Sequence, residues 1–586
     1  MHLSRLEVAH FRGIRHGVLD FDPASTVLIG ENDSGRSSLF DLLTAVLKAP
    51  EDGAGPFAFS RWDVRCPEEG LCEVPQPIRA RLCFVEREPG EWDVPAFEPV
   101  RELLGGMPWP RELCFELAAS NERHGREVDT WRFTGPAGSR DNDAAQLAWL
   151  RALNPLIRID ASASPARRLP LAAHLATLAG TPDQADQLAA RVHRHYQQLV
   201  EGISVDLPEE LSAGFDAALD LLERLNAPGR NGDEAPRHAP MLGELIGNGS
   251  GLTPQTFLPP YGNTAYRLGL LLLLGAVLDH RDTPTAPGAE PILIIEDPEA
   301  HLHPMTLSAI WHLIDRIRWQ KIVCTHSGDL LASVPMTSLR RLTRLNGEVT
   351  VWRVAADVLD RDELRRYSYH VRSHRGVAAF ARCWLLVEGE TEFWLLPELA
   401  RLCGYDFAME GIVCVEFAQC GLPPLVKVAQ ALGIRWHLLA DGDHAGQSYA
   451  AAVRSHVPPG ELDQHVTVLR QRDIENALWH AGYADVYRRH ARLPETAVDV
   501  MSPARVITRA IHRTPKPLLA LEALDAMQQA GSPGVPEEMR RVIECCVALA
   551  RGESPLVVEP AQEPHSRHHH RPRRKTHHRY RPPPEA

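Results

Sequence analysis

The sequence predicts an α/β protein of two sheet-centred units in series, the first with a helical insertion, the second with a mainly parallel central sheet. Three observations carry this. The apolar run Thr26-Val27-Leu28-Ile29 feeds a glycine-bounded loop, GENDSGRSS (Gly30 to Ser38), and then apolar residues at helical spacing. A second apolar run ends in acids at PILIIEDPEAHLHP, Pro291 to Pro304. Two more apolar strands, CWLLVEG and IRWHLLADGD, end in carboxylates at Glu388 and at Asp441 and Asp443.

Bulk properties bound the answer. The chain of 586 residues, 44% hydrophobic, has length for two to four domains. A formal charge of -13 gives no chain-wide basic character, yet an acidic protein can still carry a basic cleft for nucleic acid. The first residues show no secretory pattern, and the longest apolar run, Leu268 to Leu278, is too short to span a bilayer. A cytoplasmic protein without a membrane partner is expected. The 11 cysteines include no C-x-x-C pair, which fits a reducing compartment with thiols mostly filling cores.

In chain order, LSRLEVAHFRGI reads as a first strand and GVLDFDPASTVLIG as a second. The loop that follows matches G-x-x-x-x-G-K-[ST], except that Arg36 stands where lysine belongs. Backbone N–H groups and the helix start would surround a β-phosphate, and Ser37 would hold Mg²⁺. Lysine occurs only at Lys48, Lys321, Lys427, Lys516 and Lys575, so arginine at the loop also fits the composition. Residues 60–131 look like β-rich elaboration with IRARLCFVERE as the clearest strand. The pattern turns helical over about 169–225, either a protruding arm and dimer interface or an ordinary helical subdomain.

The acid-ended strand before Pro298 would put Glu296 at the metal side of a nucleotide and Asp297 or Glu299 at the attacking water. KIVCTHSGDLL follows as another apolar strand, placing His326 to touch a γ-phosphate. The histidines of HLHP read as a structural loop.

Together these motifs resemble ABC-type ATPase heads of the SMC and RecF kind. The opening FRGI and the EDPEAHLHP block look most like the OLD (overcoming lysogenization defect) family, over roughly 1–375. The resemblance implies ATP with Mg²⁺ at Gly30, Asn32, Gly35, Arg36, Ser37, Ser38, Glu296 and His326, with Asp297 catalytic. It also implies hydrolysis between two protomers, hence at least a homodimer. The signature helix of that class would fall at YGNTAYRLGLLLLL, where the usual Ser-Gly-Gly run is missing. Arginine for the loop lysine, and Glu-Asp for Asp-Glu, bear on hydrolysis rate more than on binding.

In the C-terminal half, Glu388 ends one strand and Thr391-Glu392 start a helix one turn on. Period-2 geometry places Asp441 and Asp443 on one side of the next strand. Two neighbouring parallel strands with such ends make an oxygen-rich cluster suited to Mg²⁺ or Mn²⁺. Glu-Gly followed by Asp-Gly-Asp is the Toprim pattern, and VEGETE resembles OLD-family nucleases. That resemblance implies metal binding at Glu388, Glu392, Asp441, Asp443 and, in QRDIENAL, Glu475, with Asp473 competing. It also implies a catalytic Lys516 near the scissile phosphate beside Glu388 and Asp441. No C-x-x-C zinc ribbon points to a primase, and no segment offers a topoisomerase tyrosine. The tail over 559–586 is basic, rich in histidine and proline, and expected to be disordered.

The expected function is an ATP-linked, divalent-metal-dependent DNA endonuclease with two ions in the Toprim site over 376–558, in phage defence or DNA repair. A helicase partner is compatible with it. The head is expected to act as a slow nucleotide switch on a Toprim domain with a complete metal site of its own. The competing reading is a RecF-like DNA-binding ATPase clamp whose Toprim domain is a scaffold.

Overall fold

The computed structural model describes residues 1–48, 56–57, 59–60, 62–65, 76–105, 108–119, 130–160, 289–300, 311, 314–315, 319–370, 376–457, 460–492 and 501–553. The helical stretch at 169–225, the stretch at 261–274, His301 and His303, and the tail after 558 lie outside them.

Among the described residues the N-terminal unit is built on one twelve-stranded sheet. One half is an antiparallel meander in which β1 (His2–Phe11) lies between β2 (Ile14–Asp20) and β4 (Ile78–Val85). It continues through β5 (Glu112–Ala119), β6 (Thr130–Gly135) and β7 (Gly138–Asp141). The other half centres on parallel strands. β3 (Ser25–Gly30) lies between β10 (Gln320–Cys324) and β11 (Leu339–Leu345), and β9 (Ile292–Glu296) lies between β10 and β8 (Leu156–Asp160). β12 (Glu348–Arg353) joins the two halves by pairing with β11 and β2. β3, β9 and β10 are buried along their whole length, which is why their sequences run apolar without alternation.

The two strands read at the start of the chain are three. The first ends at Phe11 and turns back through Arg12 and Gly13. GVLDFDPASTVLIG divides between β2 and β3, because Pro23 lacks the N–H that a central ladder requires. Another difference concerns two thiols expected as core filler. Cys83 and Cys114 face each other across β4 and β5 and form a disulfide. Their separation of 31 residues hides that register from the sequence.

The C-terminal unit holds a four-stranded, all-parallel sheet in the order β14 (Ile412–Glu416), β13 (Cys383–Val387), β15 (Arg435–Ala440), β16 (Val466–Val468). Side chains alternate across it. Trp384 and Leu386 belong to one buried cluster with Val27, Ile29, Leu293 and Val323 of the first sheet. Cys383, Leu385 and Val387 join the opposite cluster with Leu395, Leu399, Val542 and Ile543. The two units therefore share a core. Arg341 of β11, 3% exposed, completes the joint by donating to the carbonyls of Ala381 (2.9 Å), Leu432 (3.0 Å) and Gly433 (3.3 Å). Among the described residues no helix is long and apolar enough to cross a membrane.

Candidate functional sites at two sheet edges

The first site lies where β3, β9 and β10 end. Gly35 takes φ +95° as the residue before α1 (Arg36–Leu47), a conformation that favours glycine. Gly30 leaves no room for a side chain, since a Cβ there would sit 2.5 Å from the Leu342 carbonyl oxygen. The loop thus turns tightly into the helix, with Asn32 and Ser37 exposed and Ser38 half-buried.

Arg36 is 4% exposed and folded back across the loop. Its Nη2 lies 2.8 Å from His326 Nε2 and 3.4 Å from the Glu31 carbonyl, and its Nη1 lies 3.5 Å from the Thr325 carbonyl. Arginine only donates, so Nε2 of the neutral ring accepts and Nδ1 carries the proton. Burial and the Arg36 charge hold the His326 pKa below its usual value, against the pull of Asp297 and Glu299.

The acids of this edge divide their tasks. Glu296 is bound by Arg158 at 2.5 Å, and Arg158 also pairs with Asp41 on α1. Glu299 accepts from Thr325 Oγ1 (2.9 Å) and the His326 amide (2.6 Å), so it holds the end of β10. Asp297, at φ +48°, keeps a buried Oδ1 without a hydrogen-bond partner among the described residues, 3.9 Å from His326 Nε2. Of the two alternatives read for orienting water, Asp297 is the one with an uncommitted oxygen. The Arg158–Asp41 link had no sequence signal, because its partners come from distant elements.

The second site is the C-terminal edge of the small sheet. Strands β13 and β15 are neighbours and parallel, with Leu386 level with Leu438. Glu388 follows β13, and Glu392 lies in the first turn of α2 (Glu390–Leu402). β15 ends at Ala440, so Asp441 and Asp443 sit in the turn beyond it rather than on the strand. Asp443 instead caps α3 (His444–Val453) by accepting from the Gly446 amide at 2.9 Å. Gly442 is needed there for proximity, since a Cβ would lie 2.2 Å from the Gln471 carbonyl oxygen. That close approach brings the 471–475 segment to the aspartates.

Asp473 caps α4 (Ile474–Leu478) by accepting from the Asn476 amide at 2.8 Å. Glu475 is 1% exposed, with Oε1 3.0 Å from Lys516 Nζ and Oε2 lacking any hydrogen-bond partner among the described residues. Lys516 opens α5 (Lys516–Met527).

The electrostatics follow from crowding. Burial, then repulsion from Glu392, Glu388, Asp473 and Glu475, pushes Asp441 up to about 7. Burial and the neighbouring Glu475 do the same to Glu392, also to about 7. Glu388 is raised by burial and by Asp443. Lys516 is raised, since its acidic neighbours, Glu475 foremost, outweigh its burial. The sequence-predicted acids and the lysine thus meet at one edge. The donor set suits a hard cation, and the orphaned Glu475 oxygen is an atom that a cation would satisfy. No three of these acids offer oxygens mutually within 4.8 Å. The group that does among the described residues, Cys83, Glu112 and Cys114, contains disulfide sulfurs, which are poor ligands.

The family described as "Protein of unknown function (DUF2813)" matches residues 1–378. "Overcoming lysogenization defect protein-like, TOPRIM domain" matches residues 380–443. The chain is 33% identical over 583 residues to the "Uncharacterized protein YbjD" of Escherichia coli (strain K12), covering 94% of this chain and 100% of that one. Among solved structures, the SMC head domain from Thermotoga maritima aligns at 14% identity and TM-score 0.29, over 61% of this chain and 100% of that one. The C-terminal region of the Xanthomonas campestris pv. campestris OLD protein aligns at 22% identity and TM-score 0.25, over 30% and 98%.

Proposed function

The chain belongs to the DUF2813 family and carries an OLD-like Toprim domain, and on that premise we propose that it is an ATP-linked, divalent-metal-dependent DNA endonuclease. One observation carries the reading: Glu388, Glu392, Asp441, Glu475 and Lys516 act on one another electrostatically at the C-terminal edge of a parallel sheet. A scaffold gains nothing from carboxylates whose burial and repulsion hold two of them protonated up to about 7.

In this reading Glu388, Glu392, Asp441, Asp443 and Glu475 hold Mg²⁺ or Mn²⁺, with Asp473 orienting α4. When bound there, two such ions would supply an activated water and charge for the leaving oxygen in phosphodiester cleavage. Lys516 gives a compact positive charge to the scissile phosphate, and Glu475 holds its ammonium in place. In the head, Gly30, Asn32, Gly35, Arg36, Ser37 and Ser38 cradle ATP. Glu296, which Arg158 also binds, would take the Mg²⁺ side, Asp297 the water and His326 the γ-phosphate. Two copies complete the ATP site, in a cytoplasmic protein serving phage defence or DNA repair, with or without a helicase partner.

The test is supercoiled plasmid incubated with full-length protein and Mg²⁺ or Mn²⁺, with and without ATP. Nicking or linearisation is expected, and Asp441→Ala or Glu388→Ala should lower it at least about 100-fold by opening the metal shell. Undiminished cleavage by both variants would rule the site out. The spread of the carboxylate oxygens favours a second reading, a DNA-binding ATPase clamp with a Toprim scaffold. That reading requires DNA binding with no metal-dependent cutting.

A further inference from the structure

The helices beyond the acidic edge carry a surface that the proposed chemistry does not use. α6 (Ala484–Ala491) packs on α7 (Pro503–Ile511), and α7 also contacts α4, which carries Glu475. Val506, Ile507 and Ala510 form the buried face of α7. Its outward face and the turn that follows present Arg505, Thr508, Arg509, His512 and Arg513, which line an open groove of about 510 Å³.

Three features distinguish this groove. From Ser502 to Pro515 the sequence holds no aspartate or glutamate, although the chain's formal charge is -13. Arg505 and Arg513 make no ion pair among the described residues, while Arg509 is anchored through Nε to the Ala491 carbonyl at 3.0 Å. Arg505 and Arg509 are four residues apart on α7, a step of about 6 Å along a helix, and Arg513 follows in the turn beyond its end. Adjacent phosphates of one DNA strand are separated through space by a comparable distance, so neighbouring phosphates match the step from Arg505 to Arg509. The row also leads somewhere: Lys516, on Glu475, lies three residues past Arg513.

We propose that the outward face of α7 is a phosphate-backbone track that lays one DNA strand toward Lys516 and the acidic edge. It rests on the nuclease reading for its destination, but makes its own claim about where DNA binds. Guanidinium groups pair with phosphate oxygens through a planar fork, and such contacts position a strand without reading its sequence.

The experiment is fluorescence anisotropy of full-length protein with a labelled duplex in EDTA, titrated with salt, for wild type, R505Q/R513Q and R505K/R513K. In the glutamine variant the slope of log K against log salt should fall by about 1.8, the value for two lost phosphate contacts. The lysine variant should keep the wild-type slope, and the loss should be the same for unrelated sequences. Equal melting temperatures show that folding is intact. An unchanged slope, or no DNA binding by wild type, overturns the track. So does a result in which the glutamine variant loses binding to polyglutamate but not to DNA, which would make the groove a site for acidic protein. Plasmid cleavage by the same preparations separates the two ideas. A wild type that binds with the expected slope but never cuts leaves the track standing and sinks the nuclease.

Discussion

Glu31, inside the phosphate loop, accepts from both Nε and Nη2 of Arg382 at 2.6 Å each, and Arg382 directly precedes β13, whose far end leads to Glu388. The Arg382 guanidinium holds the Glu31 carboxyl below the usual carboxylate range. In the proposed function, a movement of this loop on nucleotide binding would act on the base of the strand that leads to Glu388.

Both side chains are nearly half exposed, so the pair itself contributes at most about 1 kcal/mol to stability. Arg382→Ala should leave the melting temperature within a few degrees, yet reduce the effect of ATP on plasmid cleavage by about 5-fold or more. The charge swap of Glu31→Arg with Arg382→Glu should restore part of that effect. If each single variant responds to ATP like wild type, the contact is only a surface ion pair.

Metal uptake should release protons. Asp441 and Glu392, raised to about 7 by burial and their acidic neighbours, should still hold protons at pH 6 and have lost them by pH 8.5. A cation binds the ionised form, so its affinity should rise with pH up to about 7 and level off above. Calorimetry of Mn²⁺ binding in buffers of different ionisation enthalpy should give about one to two protons released at pH 6 and almost none at pH 8.5. Asp441→Asn should remove about one of them. Identical heats in all buffers at pH 6 would show that these carboxyls are ionised before the metal arrives.

Much of this site was legible because each piece is local: an apolar strand, then an acid, then a helix start. The order of Gly30, Arg36 and α1, or of Val387, Glu388 and Glu392, is written in consecutive residues. What the sequence hides is register and distance. Nothing in it announces that Glu31 meets Arg382, that Arg158 bridges Glu296 and Asp41, or that Cys83 faces Cys114. Two units could be read from their motifs, but a core shared by Ile29, Leu293, Trp384 and Leu386 could not. Each of those residues alternates or repeats as any buried strand does, whichever neighbour it packs against.

Lys516 should matter to rate more than to binding. Its side chain is half-exposed while its Nζ pairs with a buried carboxylate, so it is held in place yet reachable from solvent. Lys516→Ala is expected to lower kcat by about 100-fold or more while changing DNA affinity less than about 3-fold. It also leaves Glu475 buried without its ion-pair partner, so Lys516→Arg is the control for folding and charge. Single-turnover cleavage at saturating DNA, beside anisotropy in EDTA, makes the comparison. Parallel losses in both would make Lys516 a general phosphate contact.

Arg36 decides whether the head is a working site. Its guanidinium is already engaged by two carbonyls and His326, so incoming phosphates must draw it away or share it. That engagement argues for slow turnover rather than loss of the site, since the arginine charge, Ser37 and Asp297 all remain at the sheet edge. Lysine has a compact ammonium and no fork with which to bridge Thr325, Glu31 and His326 together. Arg36→Lys should therefore hydrolyse ATP as fast as wild type or faster, and Arg36→Ala should bind ATP at least about 10-fold more weakly. The alanine variant carries a second readout. Arg36 is the second cause, after burial, of the lowered His326 pKa, so removing it should move the imidazole titration upward in NMR. Unchanged ATP affinity with an unmoved His326 would mean that the arginine acts on neither the nucleotide nor the ring.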